Sequence, residues 1–433
     1  MSIKRVLLAM ICIMAMLFCL VACDASQEEI EVVEEVEVVE TVTVPKIMIT
    51  TAKRINKNSY VDCTIAVIDG DGNECILDEE ASVKIRGNST AAADKKPYNI
   101  KFSSKTDVLG MGENKKWCLL ANCFDKTLMR NMSVFDFAAT INVPFTPDYR
   151  VVDVYVNEEL MGSFLITDAI EVSKTRVDID LEENDFLLEL DYNPEDKDCQ
   201  YFRSYKYDIK FAINEPEKKE LTKEQFTYVT DFVTAAELAL ASGDFEKVSA
   251  YFDVESMVNF YITAELFKNV DVNTSSTRFH VKDGKVYGGP VWDFDLSSGN
   301  LERNYYVGYY SNSENENGSG GIRAQKMPWF GALMGYEEFR ELVFARYLEL
   351  QPLIVNLYED NELGMNRIDY YSVVYKDSFE MNNVDAGWAV DKVYNKKQLE
   401  ITPFATYKEH IEYYRQWLKD RNAWLLAEWN LVS

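Results

Sequence analysis

Histidine is almost missing from this chain: its 433 residues include two, His280 and His410. That scarcity excludes most histidine-rich metal sites and argues against a histidine-dependent triad. Positive charge is also short. Forty-five Lys and Arg stand against 72 Asp and Glu, a net charge of −27. The phosphate backbone of a nucleic acid is repelled overall, so nucleic acid is not an expected partner. Past the N-terminus no apolar run is long enough to span a bilayer, and no repeat stands out. What is present is globular material: 47% apolar, 13% aromatic and 27% charged residues. That is core enough for two or three domains or one large two-lobed unit, and it rules out a wholly disordered or fibrous chain.

The N-terminus reads as an export signal. Lys4 and Arg5 precede an unbroken apolar run from Val6 to Ala22. It ends in Leu20-Val21-Ala22-Cys23, a sequence similar to the bacterial lipobox, where cleavage precedes the Cys and its thiol carries a diacylglycerol. A retained membrane helix is the rival reading, but the run is short for one. Lipidated Cys23 would anchor the chain on the extracytoplasmic face of a bacterial cell membrane. Removal of residues 1–22 leaves 43 basic against 72 acidic residues, a net charge of −29. Residues 24–45 carry eight acids and no base, and like charges extend a chain, so 23–45 is expected to be an acidic tether. Its Val/Glu alternation also fits a strand. Five cysteines follow the anchor: Cys63, Cys75, Cys118, Cys123 and Cys199. Export permits disulfides, and Cys63 with Cys75 would bridge a hairpin; buried free thiols are the alternative.

Residues 46–433 form the expected domain. Lys46 to about Phe102 is strand-like, with alternation at Lys46–Thr50 and Ser82–Ile85, a β-branched run from Tyr60 to Ile68, and turn residues at Asp69-Gly70-Asp71-Gly72. The acids at 69–80 faintly imitate a calcium loop, but Glu74 stands where an EF-hand needs Gly, so a plain hairpin is preferred. A short strand (Trp117–Ala121), a helix (Leu128–Ala139), a hairpin across Asn157-Glu158-Glu159 and a strand at Phe186–Leu190 follow. Apolar residues at three-and-four spacing predict helices over Thr222–Ala241, Val254–Asn269 and Tyr407–Trp429. Ser311–Gly321 reads as a mobile loop. The fold class is therefore α+β: β-rich at 46–105, mainly helical at 222–433, with a ligand expected in a cleft between the two parts.

The segment from Asn269 to Asp295 carries the chemistry. Thr277–Val281 and Val286–Val291 suit two strands joined by Asp283-Gly284, a strong two-residue turn signal. With that centre, opposing positions sum to 567, so 276 faces 291 and 274 faces 293. The hairpin then brings Asp271 close to Asp293 and Asp295. Carboxylates gathered away from water repel one another, and a divalent cation offsets this; hard oxygen ligands favour Mg²⁺, Mn²⁺ or Ca²⁺. Phosphoryl transfer uses such a set, one carboxylate taking the proton of the attacking hydroxyl and others holding metal. The bland alternative is that these acids are solvated turn residues.

Several segments are similar to the CotH kinase family, an atypical protein-kinase group named for spore coat protein H, across about 46–430. They are Lys84-Ile85-Arg86-Gly87-Asn88-Ser89-Thr90, Lys95-Lys96-Pro97-Tyr98-Asn99-Ile100-Lys101-Phe102, and Leu109-Gly110 followed by Lys116-Trp117-Cys118-Leu119-Leu120-Ala121-Asn122. Asp125 with Arg130-Asn131, Val154-Tyr155-Val156-Asn157 with Gly162, and Trp292-Asp293-Phe294-Asp295 complete the set. The resemblance implies a diverged, pared-down, two-lobed kinase-like fold. It also implies transfer of phosphate from ATP, with Mg²⁺ or Mn²⁺, to Ser or Thr of protein partners. Carried over by position, Asp271 is the catalytic Asp, Asp293 the principal metal ligand and Asp295 a second candidate. Arg86, Asn88, Lys96 and Lys101 offer donors to phosphates, and Asp168 or Glu171 would pair with such a Lys or touch the nucleotide.

The chain also departs from kinases. An Asn metal ligand commonly follows the catalytic Asp by five residues, whereas position 276 is Ser and Asn273 comes too early. The Gly-rich kinase loop and the Walker pattern are both absent. Three functional classes stay open: an exported protein kinase, a non-catalytic kinase-fold surface module for adhesion or assembly, and a two-carboxylate glycoside-processing enzyme.

Overall fold

The computed structural model describes residues 39–301, 318–361, 364–396, 399–401 and 403–431. Cys23, the expected export signal and most of the expected acidic tether lie outside the described residues. At the near end of the tether, Val42 N–H donates to Val374 O at 2.9 Å, and Val44 is buried.

Seven strands close into a barrel: β1 (Lys46–Thr50), β2 (Val61–Ile68), β3 (Glu74–Ile85), β4 (Tyr98–Asp107), β5 (Glu113–Leu120), β6 (Tyr149–Val156) and β7 (Glu159–Asp168). The order is β1-β2-β3-β4-β5-β7-β6, and parallel pairing of β1 with β6 (Ile47 opposite Val154) shuts the ring. Period-two alternation sends Ile47, Ile49, Ile65, Val67, Val83, Ile100, Phe102, Trp117, Val154 and Phe164 inward to fill it. The sequence reading saw the strands but not the closure. Closure rests on β1 meeting β6, a pairing of residues more than 100 apart that no local pattern announces. Along β5, β6 and β7 the opposite face is also covered: Cys118, Leu120, Val151 and Leu165 join a second core.

The Asp69–Gly72 segment is a hairpin turn between β2 and β3. Asp69 Oδ1 accepts the amides of Asp71 (3.0 Å) and Asn73 (2.8 Å), so the carboxylate serves its own turn. Cys63 is buried and Cys75 exposed, and all five described cysteines are free thiols; the Cys63–Cys75 bridge is not formed.

The second sheet has the order β12-β11-β8-β10-β9, built from β8 (Phe186–Leu190), β9 (Gln200–Arg203), β10 (Lys210–Glu215), β11 (Thr277–Lys282) and β12 (Lys285–Gly288). Its central strand β8 is buried at all five positions. Between barrel strands β5 and β6 in sequence lies α1 (Arg130–Thr140), and around the second sheet pack α2 (Lys223–Leu240), α3 (Phe245–Tyr251) and α4 (Val254–Leu266). Residues 256–266 of α4 are all buried, as expected of a helix enclosed on every side. The C-terminal region adds α5 (Pro328–Leu333), α6 (Glu337–Glu349), α7 (Gln351–Asn356), α8 (Arg367–Val374), α9 (Lys376–Asn383) and α10 (Tyr407–Glu428). Helices α2 and α10 each begin with a capping box, Thr222/Gln225 and Thr406/Glu409. The mixed α+β class is as expected, but the two halves are less segregated: β11 and β12, from the helix-rich half, complete a sheet begun at Phe186. No helix among the described residues is long and apolar enough to cross a membrane.

The helix predicted over Val254–Asn269 stops at Leu266, because Lys268 takes φ of 48° and the chain turns. The predicted mobile loop differs too. Residues 311–317 lie outside the described residues, but 318–321 are pinned. Lys268 Nζ donates to Gly318 O (2.8 Å) and Gly320 O (2.6 Å), and Arg421 Nη1 to Ser319 O and Gly321 O (both 2.8 Å).

Candidate active site

The hairpin register is as the turn chemistry predicts: Phe279 pairs Gly288, His280 pairs Tyr287 and Lys282 pairs Lys285. It does not continue. At Gly289 the backbone takes φ of 108°, and a Cβ there would lie 2.9 Å from Pro144 O, so only glycine fits. The chain leaves the sheet, and the returning segment slides by two: Ser276, extrapolated to face 291, donates its hydroxyl to Asp293 Oδ2 at 3.0 Å. Both partners hold positive φ, 58° at Ser276 and 67° at Asp293. Backbone of this kind concentrates at functional sites.

Asp271 is set by the turn that follows α4. Its amide donates to Asn269 Oδ1 (3.0 Å), its carbonyl accepts the amides of Thr274 (2.8 Å) and Ser275 (3.0 Å), and Thr274 Oγ1 donates to its Oδ1 (3.2 Å). Thr277 Oγ1 ties this turn to β11 through Val272 O (2.9 Å).

The Trp292–Asp295 segment is held from α1. Phe294 N–H donates to Asn131 Oδ1 at 2.9 Å, and Asn131 Nδ2 donates to Asn122 Oδ1 at 3.0 Å. Arg130 pairs with Asp125 at 2.5 Å, both almost fully buried, and its Nε donates to Ser297 O at 3.2 Å. The Asp125 and Arg130-Asn131 motif thus fastens the acidic segment to the barrel side of the molecule.

Asp271, Asp293 and Asp295 line one cavity of about 440 Å³, together with Arg86, Asn88, Glu189, Lys197, Arg278 and Trp292. Asp271 and Asp293 are half-buried, whereas Asp295 is 7% exposed. Burial first, then Asp293, Asp125 and Asp271, push the Asp295 carboxyl well above its ordinary range. In the same cavity Arg278 Nη2 meets Glu189 Oε1 (3.2 Å) and Lys197 bridges Glu189 (3.0 Å) and Asp191 (2.5 Å). Burial alone would raise Glu189, but Arg278 and Lys197 outweigh it and hold the carboxyl below its usual value. Arg86 and Arg278 lie over the Trp292 ring, 5.3 and 5.7 Å from its centroid.

Among the described residues no three His, Cys, Asp or Glu side chains converge as a ready-made metal site, so three carboxylates do not share one preformed cage. A Mg²⁺-type site does not need one. Such ions bind through one or two carboxylates plus substrate phosphates and waters. Asp293, with Asp295 in the same cavity, supplies hard oxygens, and the donor set fits that cation.

Three residues carried over by position are not brought to this cavity. Lys96 Nζ donates to Ala91 O at 2.9 Å. Lys101 stands exposed on the outer face of β4. Asp168 accepts Arg176 Nε at 3.0 Å and the Asp148 amide at 3.2 Å, and lines a separate cavity of about 370 Å³ beside Phe145 and Pro147. Lys95 is buried away from it, its Nζ donating to Ser163 O (2.6 Å) and Asn382 Oδ1 (2.7 Å). Alternation along β4 decides the placement of Lys101. It sends Ile100 and Phe102 into the barrel and Lys101 to solvent. The sequence reading missed Glu189, Lys197 and Arg278; β8 reads as a plain hydrophobic strand with one acid, and that internal Glu189 was the available signal.

The kinase-like class of this protein comes from its family rather than from its architecture, a closed seven-stranded barrel and a five-stranded sheet. The family model described as CotH kinase protein matches residues 83–425, most of the chain, and the chain belongs to that family. A search of curated proteins finds no match.

Proposed function

We propose that this protein is an exported, membrane-anchored atypical protein kinase of diverged two-lobed kinase-like fold. It transfers phosphate from ATP to Ser or Thr of surface proteins in a divalent-metal-dependent reaction. The supporting observation is that Asp271 and Asp293, 22 residues apart in sequence, line one cavity with the buried Asp295. Asp271 accepts the proton of the acceptor hydroxyl as that oxygen attacks the γ-phosphorus. The bond to the β-phosphate oxygen breaks and ADP leaves. Asp293 and Asp295 would hold Mg²⁺ or Mn²⁺, which neutralises charge developing on the phosphates. Arg86 and Asn88, on the β3–β4 loop and lining the same cavity, contact the phosphates. Cys23 carries the lipid that keeps the domain at the extracytoplasmic membrane face.

One observation favours a second reading, a non-catalytic surface module: Ser276 stands where kinases commonly carry an Asn ligand, and its hydroxyl is spent on Asp293. Incubation of residues 39–433 with labelled ATP, Mg²⁺ or Mn²⁺ and surface proteins separates the two. Transfer that depends on metal and is lost in Asp271→Asn supports the kinase; ATP binding without transfer supports the module.

A further inference from the structure

We infer that Arg323 is a positioning residue for Asp271, an inference that rests on the catalytic role proposed for that Asp. The guanidinium brackets the acid from both sides in sequence. Arg323 Nη2 donates to the carbonyl of Val270, the residue before Asp271, and to Asn273 Oδ1, two residues after it, at 3.2 Å. Its own backbone is fixed independently. The Glu265 carboxylate, one residue from the end of α4, takes the amides of Arg323 and Ala324, each at 2.7 Å. Glu265 also pairs at 2.5 Å with Arg421 of α10, both side chains fully buried. Arg421 donates in turn to Ser319 O and Gly321 O.

The consequence is mechanical. The turn carrying Asp271 is short and half-exposed, and its internal bonds are local. Two of its groups are tied to a side chain that enters from the 318–324 segment, which is itself stitched to α4 and α10. A general base must lie within hydrogen-bond reach of the hydroxyl it serves, and a displacement of about 1 Å costs about a hundredfold in rate. Arg323 therefore converts correct seating of the 318–324 segment into correct placement of Asp271. Nothing in the sequence marks it, since the partners are about 50 residues upstream.

The test uses the full domain and two readouts. In Arg323→Ala, amide hydrogen exchange at Thr274 and Ser275, whose N–H groups bond Asp271 O, should accelerate at least about tenfold, while α4 amides stay protected. The kcat for phosphate transfer should fall about ten- to a hundredfold with KM for ATP within about twofold, and Arg323→Lys should recover part of the loss. If Arg323→Ala does not fold, Asn273→Ala removes one arm of the bracket and is read at the same amides. Unchanged exchange at Thr274 and Ser275 overturns the inference whatever the activity. Faster exchange in a protein whose wild type transfers no phosphate upholds the positioning role and counts against the kinase reading instead.

Discussion

Ser276 and Asp293 are joined side chain to side chain at 3.0 Å, and each sits in the left-handed region of backbone space. That pair is the closure of the site: it fixes the loop after Asp271 against the segment that carries Asp293 and Asp295. Asn tolerates positive φ better than Ser. Ser276→Asn is therefore expected to raise stability by about 0.5–1 kcal/mol, read as a higher urea midpoint. A lower midpoint would show that the hydroxyl contact outweighs backbone conformation.

Asp295 gives a pH dependence of known sign. Its carboxyl is raised in the folded protein, so the native state holds a proton that the unfolded chain has released. Its contribution is full below the unfolded value of about 4 and is lost as pH rises through the native value. Asp153, raised to about 6, and Glu215, raised to about 7, act in the same direction. Asp295→Asn should therefore stabilise the metal-free protein more at pH 7 than at pH 4, as measured by thermal unfolding at the two pH values. Mg²⁺ should stabilise wild type more than the variant; equal gains would detach Asp295 from the cation.

Asp125 and Arg130 are a buried pair that anchors the acidic segment. Asp125→Ala leaves the guanidinium uncompensated and should cost about 3–5 kcal/mol, visible in urea unfolding. A loss below about 1 kcal/mol would mean that Ser297 O and the Tyr414 ring, 4.6 Å from the Arg130 guanidinium carbon, suffice to hold it.

Arg86 lines the cavity and Lys101 does not. Arg86→Ala should weaken ATP binding about tenfold, the loss of one charge-assisted contact, and Lys101→Ala should leave it unchanged in calorimetric titration. The reverse ranking would move the phosphate site to the outer face of β4.

Much of this was legible in the sequence, for local reasons. Asp283-Gly284 set the hairpin register, alternation gave the strands, and three-and-four apolar spacing gave the helices that begin near Thr222 and Tyr407. That Asp271 and Asp293 line one cavity was legible from that register only in outline, since its arithmetic failed beyond Gly288, where the Gly289 backbone turns the chain out of the sheet. What escaped was non-local: closure of the barrel by β1 and β6, the salt bridges of Glu189, and the reach of Arg323 to residues 270 and 273. Lys96, Lys101 and Asp168 were drawn to the site by charge and order in the chain, whereas Lys96 is bonded to Ala91 O, strand alternation turns Lys101 to solvent, and Asp168 pairs with Arg176.

The most direct measurement is phosphate transfer by the purified domain in three forms, wild type, Asp271→Asn and Asp293→Ala, with Mg²⁺-ATP affinity determined in parallel. The account predicts transfer by wild type alone, with Asp271→Asn binding Mg²⁺-ATP normally and Asp293→Ala binding it at least about tenfold more weakly. Transfer at wild-type rates by both variants would contradict it.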